Sequence, residues 1–201
     1  MITTAIQAGG SSSRMGRDKA FAMLNGTPLI EHVLQRLAGL GDETLIVSNH
    51  PAAFSHLGVR TVPDTTPGAG ALVGLYSALL AARGDSVLVV ACDMPFLNRA
   101  LLAHQLQLAA QADVVVPFYC NQYEPLHAVY GRQACLPAIE ACLQAGEQRL
   151  ISFYPQLRIV KVDEPTLAAL DPCGLGFFNI NTPQDLAHAE QLIMDGDVVL
   201  D

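Results

Sequence analysis

Ser86-Val87-Leu88-Val89-Val90-Ala91-Cys92, running straight into Asp93-Met94-Pro95, is the most hydrophobic strand-like run of the chain. Its apolar positions continue without the alternation of a half-exposed strand, which is the pattern of a central parallel strand covered by helices on both faces. Working back from it, ALVGLYSALLAA (Ala71–Ala82) is helix-like and follows a Pro and Gly loop. Before that loop lie two short strand-like runs, TLIVS (Thr44–Ser48) and VRTV (Val59–Val62). Further back, Leu29, Val33, Leu34 and Leu37 fall at helical spacing after the turn LNGTP, and TTAIQ (Thr3–Gln7) is a first strand ending in a glycine and serine loop. Working forward, Asn98–Gln111 is helical and DVVVP (Asp113–Pro117) is another strand.

The remainder is less regular. LHAVYG (Leu126–Gly131) reads as a strand, CLPAIEACLQAG (Cys135–Gly146) as a helix, and FFNI (Phe177–Ile180) as a last strand before the helix TPQDLAHAEQLI. Thr182 suits the N-cap of that helix, with Pro183 at the first helical position and Asp185 at the third. Strands alternating with helices predict an α/β fold with a mostly parallel sheet and helices on both faces, whose ligands bind at the carboxyl ends of the strands. Repeats, low-complexity segments and long linkers are missing from the sequence, so residues 1–201 are expected to form a single domain.

Composition narrows the functional classes. Of 201 residues, 51% are hydrophobic and 15% charged, with a mean hydropathy of +0.31, which is ample apolar material to offset the entropy of ordering. Eleven Lys and Arg against nineteen Asp and Glu give a net charge of −8, so there is no global basic field for nucleic acid or an anionic membrane. An anionic substrate has to be gripped locally. The apolar runs stop well short of the ~20 residues of a bilayer span and MITTAIQAGG has no basic region before an apolar core, so a cytoplasmic protein is expected. The five cysteines (Cys92, Cys120, Cys135, Cys142, Cys173) are scattered without a C-x-x-C pair, the distribution of reduced, mostly buried thiols.

The loop after the first strand, Ala8-Gly9-Gly10-Ser11-Ser12-Ser13-Arg14-Met15-Gly16-Arg17-Asp18-Lys19, has the makings of a phosphate cradle. A glycine pair after a buried strand lets backbone N–H groups approach an anion. Serine hydroxyls add donors, Arg14 can clamp phosphate bidentately, and Lys19 supplies a mobile point charge. Neither common phosphate motif is present, because Lys19 is followed by Ala20 rather than Ser or Thr and there is no G-x-G-x-x-G. A plain glycine-rich surface loop is the alternative. Asp93, at the carboxyl end of the central strand, stands where Mg²⁺ would use one carboxylate with substrate phosphates, unless it is merely a cap or turn residue. Asp64 follows VRTV in the same way, with a turn-forming role as its alternative.

AGGSSSRMGRDKA before LNGTPLIEHVL resembles the signature of nucleotidyltransferases that activate sugars and cofactors. RMGRDK with VPDTTPGAGALVGL, ACDMPFL and NINTPQDL resembles, within that superfamily, the molybdenum cofactor guanylyltransferase group, over Ile6 to Leu192. The resemblance implies a Rossmann-like nucleotidyltransferase fold, with a nucleotide-binding half at about residues 1–112 and an acceptor-binding half at about 113–201. It implies that Gln7, Ala8, Gly9 and Gly10 lie against the nucleotide, that Lys19 sits on its phosphates, that Asp64 contacts the guanine nucleotide and that Asp93 binds Mg²⁺. Gln7 departs from the aliphatic residue usual there. The family's nucleotide-contacting asparagine aligns with Ser48, while Asn49 is the nearer chemical match and is taken as the candidate. Glu124, Asn179 and Asn181 fall in segments that line the acceptor side in the family, an asparagine that merely ties down loop backbone being the alternative. His127 reads as a hydrogen-bonded structural residue rather than a general base. Arg132 and Arg149 are either acceptor-phosphate ligands or solvated surface arginines.

The implied reaction is attack of the terminal phosphate of molybdopterin on the α-phosphorus of GTP, with Arg14, Lys19 and Asp93 as the catalytic charges. The implied partners are GTP and molybdopterin, together with other cofactor-assembly proteins. Two other nucleotidyl transfers compete: cytidylyl transfer to the same acceptor, and transfer to another small phosphorylated substrate. A catalytically silent nucleotide-binding module is disfavoured by the presence of Arg14, Lys19, Asp64 and Asp93, and a Rossmann oxidoreductase by the missing glycine fingerprint.

Overall fold

A computed structural model describes residues 1–9, 19–66 and 70–198. In chain order the strands and helices are β1 (Ile2–Gln7), β2 (Met23–Leu24), β3 (Thr27–Pro28), α1 (Leu29–Leu37), β4 (Glu43–Val47), β5 (Arg60–Val62), α2 (Ala71–Ala81) and β6 (Ser86–Ala91). They continue with α3 (Arg99–Leu108), β7 (Val114–Tyr119), β8 (Gln122–Tyr123), β9 (His127–Gly131), α4 (Arg132–Gln144), β10 (Ile159–Val162), α5 (Glu164–Leu170) and α6 (Pro183–Met194). Short 3₁₀ turns join several of them.

The main sheet has the order β10-β7-β9-β6-β1-β4-β5, with β8 added to the end of β7. β5, β4, β1 and β6 are mutually parallel, β9 is antiparallel to both of its neighbours, and β7 and β10 run parallel again. From β1 the chain moves outward to β4 and β5 and then returns to the other side of β1 as β6. That reversal is a topological switch point, and it opens a crevice at the carboxyl ends of β1 and β6.

Each face of the sheet buries its own layer. Ile6, Ile46, Leu88, Val90, Val115 and Val129 pack beneath α1, α3 and α5, while Ala5, Leu45, Val87, Val89, Val116 and Tyr130 pack beneath α2 and α4. This double cover explains the unbroken valine run of β6, all of whose residues from Val87 to Val90 are fully buried. A third cluster joins Leu24 and Leu29 to Phe96, Ile180 and Ala189, seating α6 against the β2–β3 hairpin. Asn25 and Gly26 turn that hairpin with φ of 48° and 80°, the left-handed pair that an Asn-Gly turn provides.

Two features differ from the sequence expectation. Phe177–Ile180 is not a strand: Leu175–Phe177 forms a 3₁₀ turn, and the segment beyond it is irregular. Local bonds replace a ladder there, with Asp171 Oδ2 accepting from Gly176 N at 2.9 Å and the Asn179 amide donating to Phe177 O at 2.9 Å. The helix expected from Cys135 starts three residues earlier, at Arg132, whose N–H is satisfied by Asp85 O at 2.8 Å.

Candidate active site

Ladder register assembles the crevice. Gln7 is opposite both Val47 and Ala91, and Val47 is opposite Val62, so four parallel strands end level with one another. The next residues of each, Ala8–Gly9, Ser48–Asn49, Pro63–Asp64 and Cys92–Asp93, therefore emerge along a single edge. Backbone bonds extend the alignment past the strands: Ala8 N donates to Val47 O at 2.9 Å, Ser48 N to Val62 O at 2.9 Å, and Cys92 N to Gln7 O at 3.2 Å.

At one end of this edge Asn49 and Asp64 hold each other. Asn49 Nδ2 donates to Asp64 Oδ2 at 2.8 Å, and Asp64 N donates to Asn49 Oδ1 at 3.0 Å. Gly9 abuts the same carboxylate, since a Cβ placed on it would lie 3.8 Å from Asp64 Oδ2. Ser48, the other candidate at this position, is buried and uses its hydroxyl to accept from His50 N at 3.2 Å. Ser77 in α2 was not anticipated; its Oγ accepts from Thr65 N at 2.8 Å and so fixes the chain just beyond Asp64. A polar residue amid an otherwise apolar helix was the available signal.

At the other end Lys19 Nζ stands 3.2 Å from Asp93 Oδ2 and also donates to Asn181 Oδ1. The side chains of Lys19 and Asp93 are mostly, though not wholly, withdrawn from solvent. Ile180 N donates to Asp93 O at 2.9 Å, which pins the segment carrying Asn181 to the end of β6. Asn181 is held in turn by the start of α6. Asp185 accepts from Asn181 N at 2.9 Å and Thr182 N at 2.8 Å, and its own N–H donates to Thr182 Oγ1 at 3.2 Å, completing a capping box. The Asn181 N–H bond leads in keeping the Asp185 carboxyl below the usual range, with Lys19 adding to it.

The remaining candidates are less closely joined to these two groups. Asn179 spends its amide on Phe177 O, the loop-tying role that the sequence left open. Glu124 lies beyond β8, its N–H on Pro117 O at 3.0 Å, and half-burial raises its carboxyl above the ordinary value. His127 is fully buried, but neither ring nitrogen has a hydrogen-bond partner, which corrects the expected hydrogen-bonded histidine. Burial lowers its pKa to about 4, and its ring lies against Phe177 with centroids 5.0 Å apart. Arg132 is turned away from the crevice, at the amino end of β9's successor helix, where its Nε donates to Leu79 O at 2.8 Å; Arg149 is exposed. Gly10 and Arg14 lie outside the described residues.

The site therefore offers a polar group of Gly9, Asn49 and Asp64 along the same strand edge as a cation, a carboxylate and an amide at Lys19, Asp93 and Asn181. No group of three or more His, Cys, Asp or Glu side chains able to hold a metal ion occurs among the described residues. None of the described helices is long and apolar enough to cross a membrane.

Residues 4–160 match the MobA-like NTP transferase domain family. The chain is 39% identical to the probable molybdenum cofactor guanylyltransferase of Pelotomaculum thermopropionicum, covering 93% of this chain and 91% of that one. It is 36% identical to the molybdenum cofactor guanylyltransferase of Desulfosudis oleivorans, with 98% of each chain covered. Among solved structures, molybdopterin-guanine dinucleotide biosynthesis protein A from Archaeoglobus fulgidus superposes with a TM-score of 0.83 at 29% identity, over 96% of this chain and 99% of that one.

Proposed function

Because the chain belongs to the MobA-like NTP transferase domain family, we propose that it transfers GMP from GTP to the terminal phosphate of molybdopterin, releasing pyrophosphate. The observation that carries this reading is the junction of Lys19, Asp93 and Asn181 at the switch point of the sheet. There a phosphate-binding cation and a carboxylate from the first half of the chain meet an amide from the second. In the transfer, an oxygen of the acceptor phosphate forms a bond to the α-phosphorus, and the bond from that phosphorus to the β-phosphate bridging oxygen breaks, its electron pair leaving with pyrophosphate.

A phosphate monoester has a second pKa of about 6 and is already an anionic nucleophile at neutral pH, so no protein nucleophile or general base is needed. The protein's task is to position the reactants and offset their charge. Lys19 answers negative charge on the triphosphate, and Asn181, by accepting from the ammonium, aims it. Gly9, with Ala8 and Gln7 preceding it, lets the backbone come close to the nucleotide, and Asn49 with Asp64 faces the same end of the crevice. Glu124 and Asn181 are assigned to the acceptor side, with Asn179 tying down the loop that carries Asn181.

The donor chemistry fits Mg²⁺ as an ion shared with substrate. Among the described residues a largely sheltered carboxylate outside any three-residue acidic cluster suits an ion that keeps several waters and completes its shell with phosphate oxygens, rather than a cage built from protein alone. Asp93 is the residue that would hold it. When bound, the ion would neutralise charge on the phosphate oxygens.

Pyrophosphate release from GTP with molybdopterin as acceptor tests the reading. Asp93→Ala is expected to lose about 10² to 10³ in turnover while keeping its thermal unfolding transition, by analogy with the loss of one preorganised electrostatic group. Near-normal release by folded Asp93→Ala would remove Asp93 from the reaction. Stabilisation of the wild-type protein against heat by CTP and not by GTP would move the assignment to cytidylyl transfer.

A further inference from the structure

The contact between Lys19 and Asp93 joins a mobile group to a fixed one. Asp93 stands two residues past β6, its carbonyl accepts from Ile180 N at 2.9 Å, and Cys92 and Met94 on either side of it are buried, so the backbone carrying the carboxylate is held at both flanks. The lysine backbone is held too, because Ala20 is fully buried and Ala22 N donates to Lys19 O at 3.0 Å. Its ammonium, however, ends a flexible four-carbon stem. Neither side chain is sealed in the interior, since 22% of Lys19 and 14% of Asp93 stays exposed. Both can be met by a ligand from solvent.

Two acceptors share this ammonium, and they differ in charge. Asp93 Oδ2, at 3.2 Å, is anionic, whereas Asn181 Oδ1 is neutral. The carboxylate of Asp185 lies within the lysine's field but is occupied by the N–H groups of Asn181 and Thr182, at 2.9 and 2.8 Å. With the ammonium on it, Asp93 is electrically balanced, and a divalent cation approaching it meets a positive charge a few ångström away. A bare cation that displaced the lysine would leave the ammonium on a neutral amide. Triphosphate oxygens supply an anionic acceptor instead, to which the ammonium can move while Asn181 keeps hold of it.

We propose that Lys19 gates this carboxylate: without nucleotide it closes Asp93 to divalent cations, and it frees Asp93 only when triphosphate oxygens take over its ammonium, with Asn181 as the pivot. The proposal rests on the GTP and Mg²⁺ reading given above and deepens it, by fixing the order in which that site fills. Metal and nucleotide then favour each other's binding, because both prefer the arrangement in which the lysine has left the carboxylate.

The test is binding of Mn²⁺ alone, followed by electron paramagnetic resonance and water-proton relaxation, to the full chain and to Lys19→Met, Lys19→Gln and Lys19→Met/Asp93→Asn. Unfolding temperatures show which variants are folded. Wild type without nucleotide is expected to hold Mn²⁺ weakly. Lys19→Met and Lys19→Gln should each bind one ion about tenfold more tightly, the order of an ordinary coupling between two sites, and Asp93→Asn added to Lys19→Met should return the affinity to the wild-type level. A damaged fold would not produce such a gain.

Mn²⁺ affinity of the lysine variants no higher than that of wild type would overturn the proposal, and so would a gain that survives Asp93→Asn. Neither result decides whether Asp93 holds the metal during the reaction, which is read separately with Mn²⁺ and GTP together. Wild type should then form a ternary complex with enhanced relaxation. Folded Asp93→Asn that forms it equally well would overturn the metal reading itself.

Discussion

The two ends of the crevice are built by different means. Along the strand edge proposed to take the nucleotide, Ala8–Gly9, Asn49, Asp64 and Asp93 are placed by four parallel strands that finish level, so main-chain ladders fix their positions. On the side proposed to take the acceptor, Phe177–Asn181 belongs to no ladder. It is held by single bonds and by rings: Ile180 N on Asp93 O, Asn181 N on Asp185, and Phe177 between Tyr119 at 4.8 Å and His127 at 5.0 Å. A ladder tolerates a change in any one side chain, because its bonds are made by backbone. A segment held by one backbone bond and several side chains responds to each of those side chains separately. Substitutions on the nucleotide side should therefore alter chemistry and leave the scaffold intact, whereas those on the acceptor side should alter position and stability.

Lys19 belongs to both ends, so it offers the largest effect and the sharpest division. Lys19→Ala is expected to lower turnover by about 10² to 10³, as loss of one preorganised charge does. Asn181→Ala leaves the lysine in place and is expected to act mainly by raising KM for the acceptor. Steady-state kinetics with each substrate varied in turn checks both. An Asn181→Ala protein whose only defect is weaker GTP binding would erase the distinction between the two ends.

The same distinction explains what was legible in the sequence. Asp64 and Asp93 follow apolar runs that read as strands, and once those strands are parallel and level, their successors have to emerge along one edge. Gly9 and Lys19 were carried by the loop motif. The second half gave weaker signals: Phe177–Ile180 has the composition of a strand, yet Asp171 and Asn179 capture its backbone locally. β10 leaves little signal in the sequence, because it is a four-residue edge strand carrying exposed Lys161. The missing partners of His127 depend on three-dimensional neighbours far away in sequence, and no local pattern encodes them.

His127 gives the next largest effect, on stability. Burial holds its folded pKa at about 4, against about 6.5 for an unfolded histidine, so between these values the unfolded chain binds the extra proton. The corresponding stability is fully present above pH 6.5 and is lost as pH falls toward 4, by about 3 kcal/mol in all. Urea unfolding between pH 5 and 7 should show this slope in wild type and a flatter one in His127→Leu. The Gln105 Nε2 bond to His127 O, at 2.7 Å, survives the substitution because the acceptor is backbone. Equal slopes in the two proteins would mean that the ring is solvated or paired in solution, and the acceptor end would lose its main buried anchor.

The smallest effect belongs to the cap of α6. Thr182→Ala removes the hydroxyl that accepts from Asp185 N, which is expected to cost about 1 kcal/mol, read as a lower urea midpoint. The bonds from Asn181 N and Thr182 N to the Asp185 carboxylate do not use that hydroxyl, so Asn181 should keep its place and the acceptor KM should barely move. Asp185→Ala removes the carboxylate itself and should raise that KM. If Thr182→Ala raises it equally, the hydroxyl and the carboxylate act as one unit, and the position of Asn181 is set by the helix terminus as a whole.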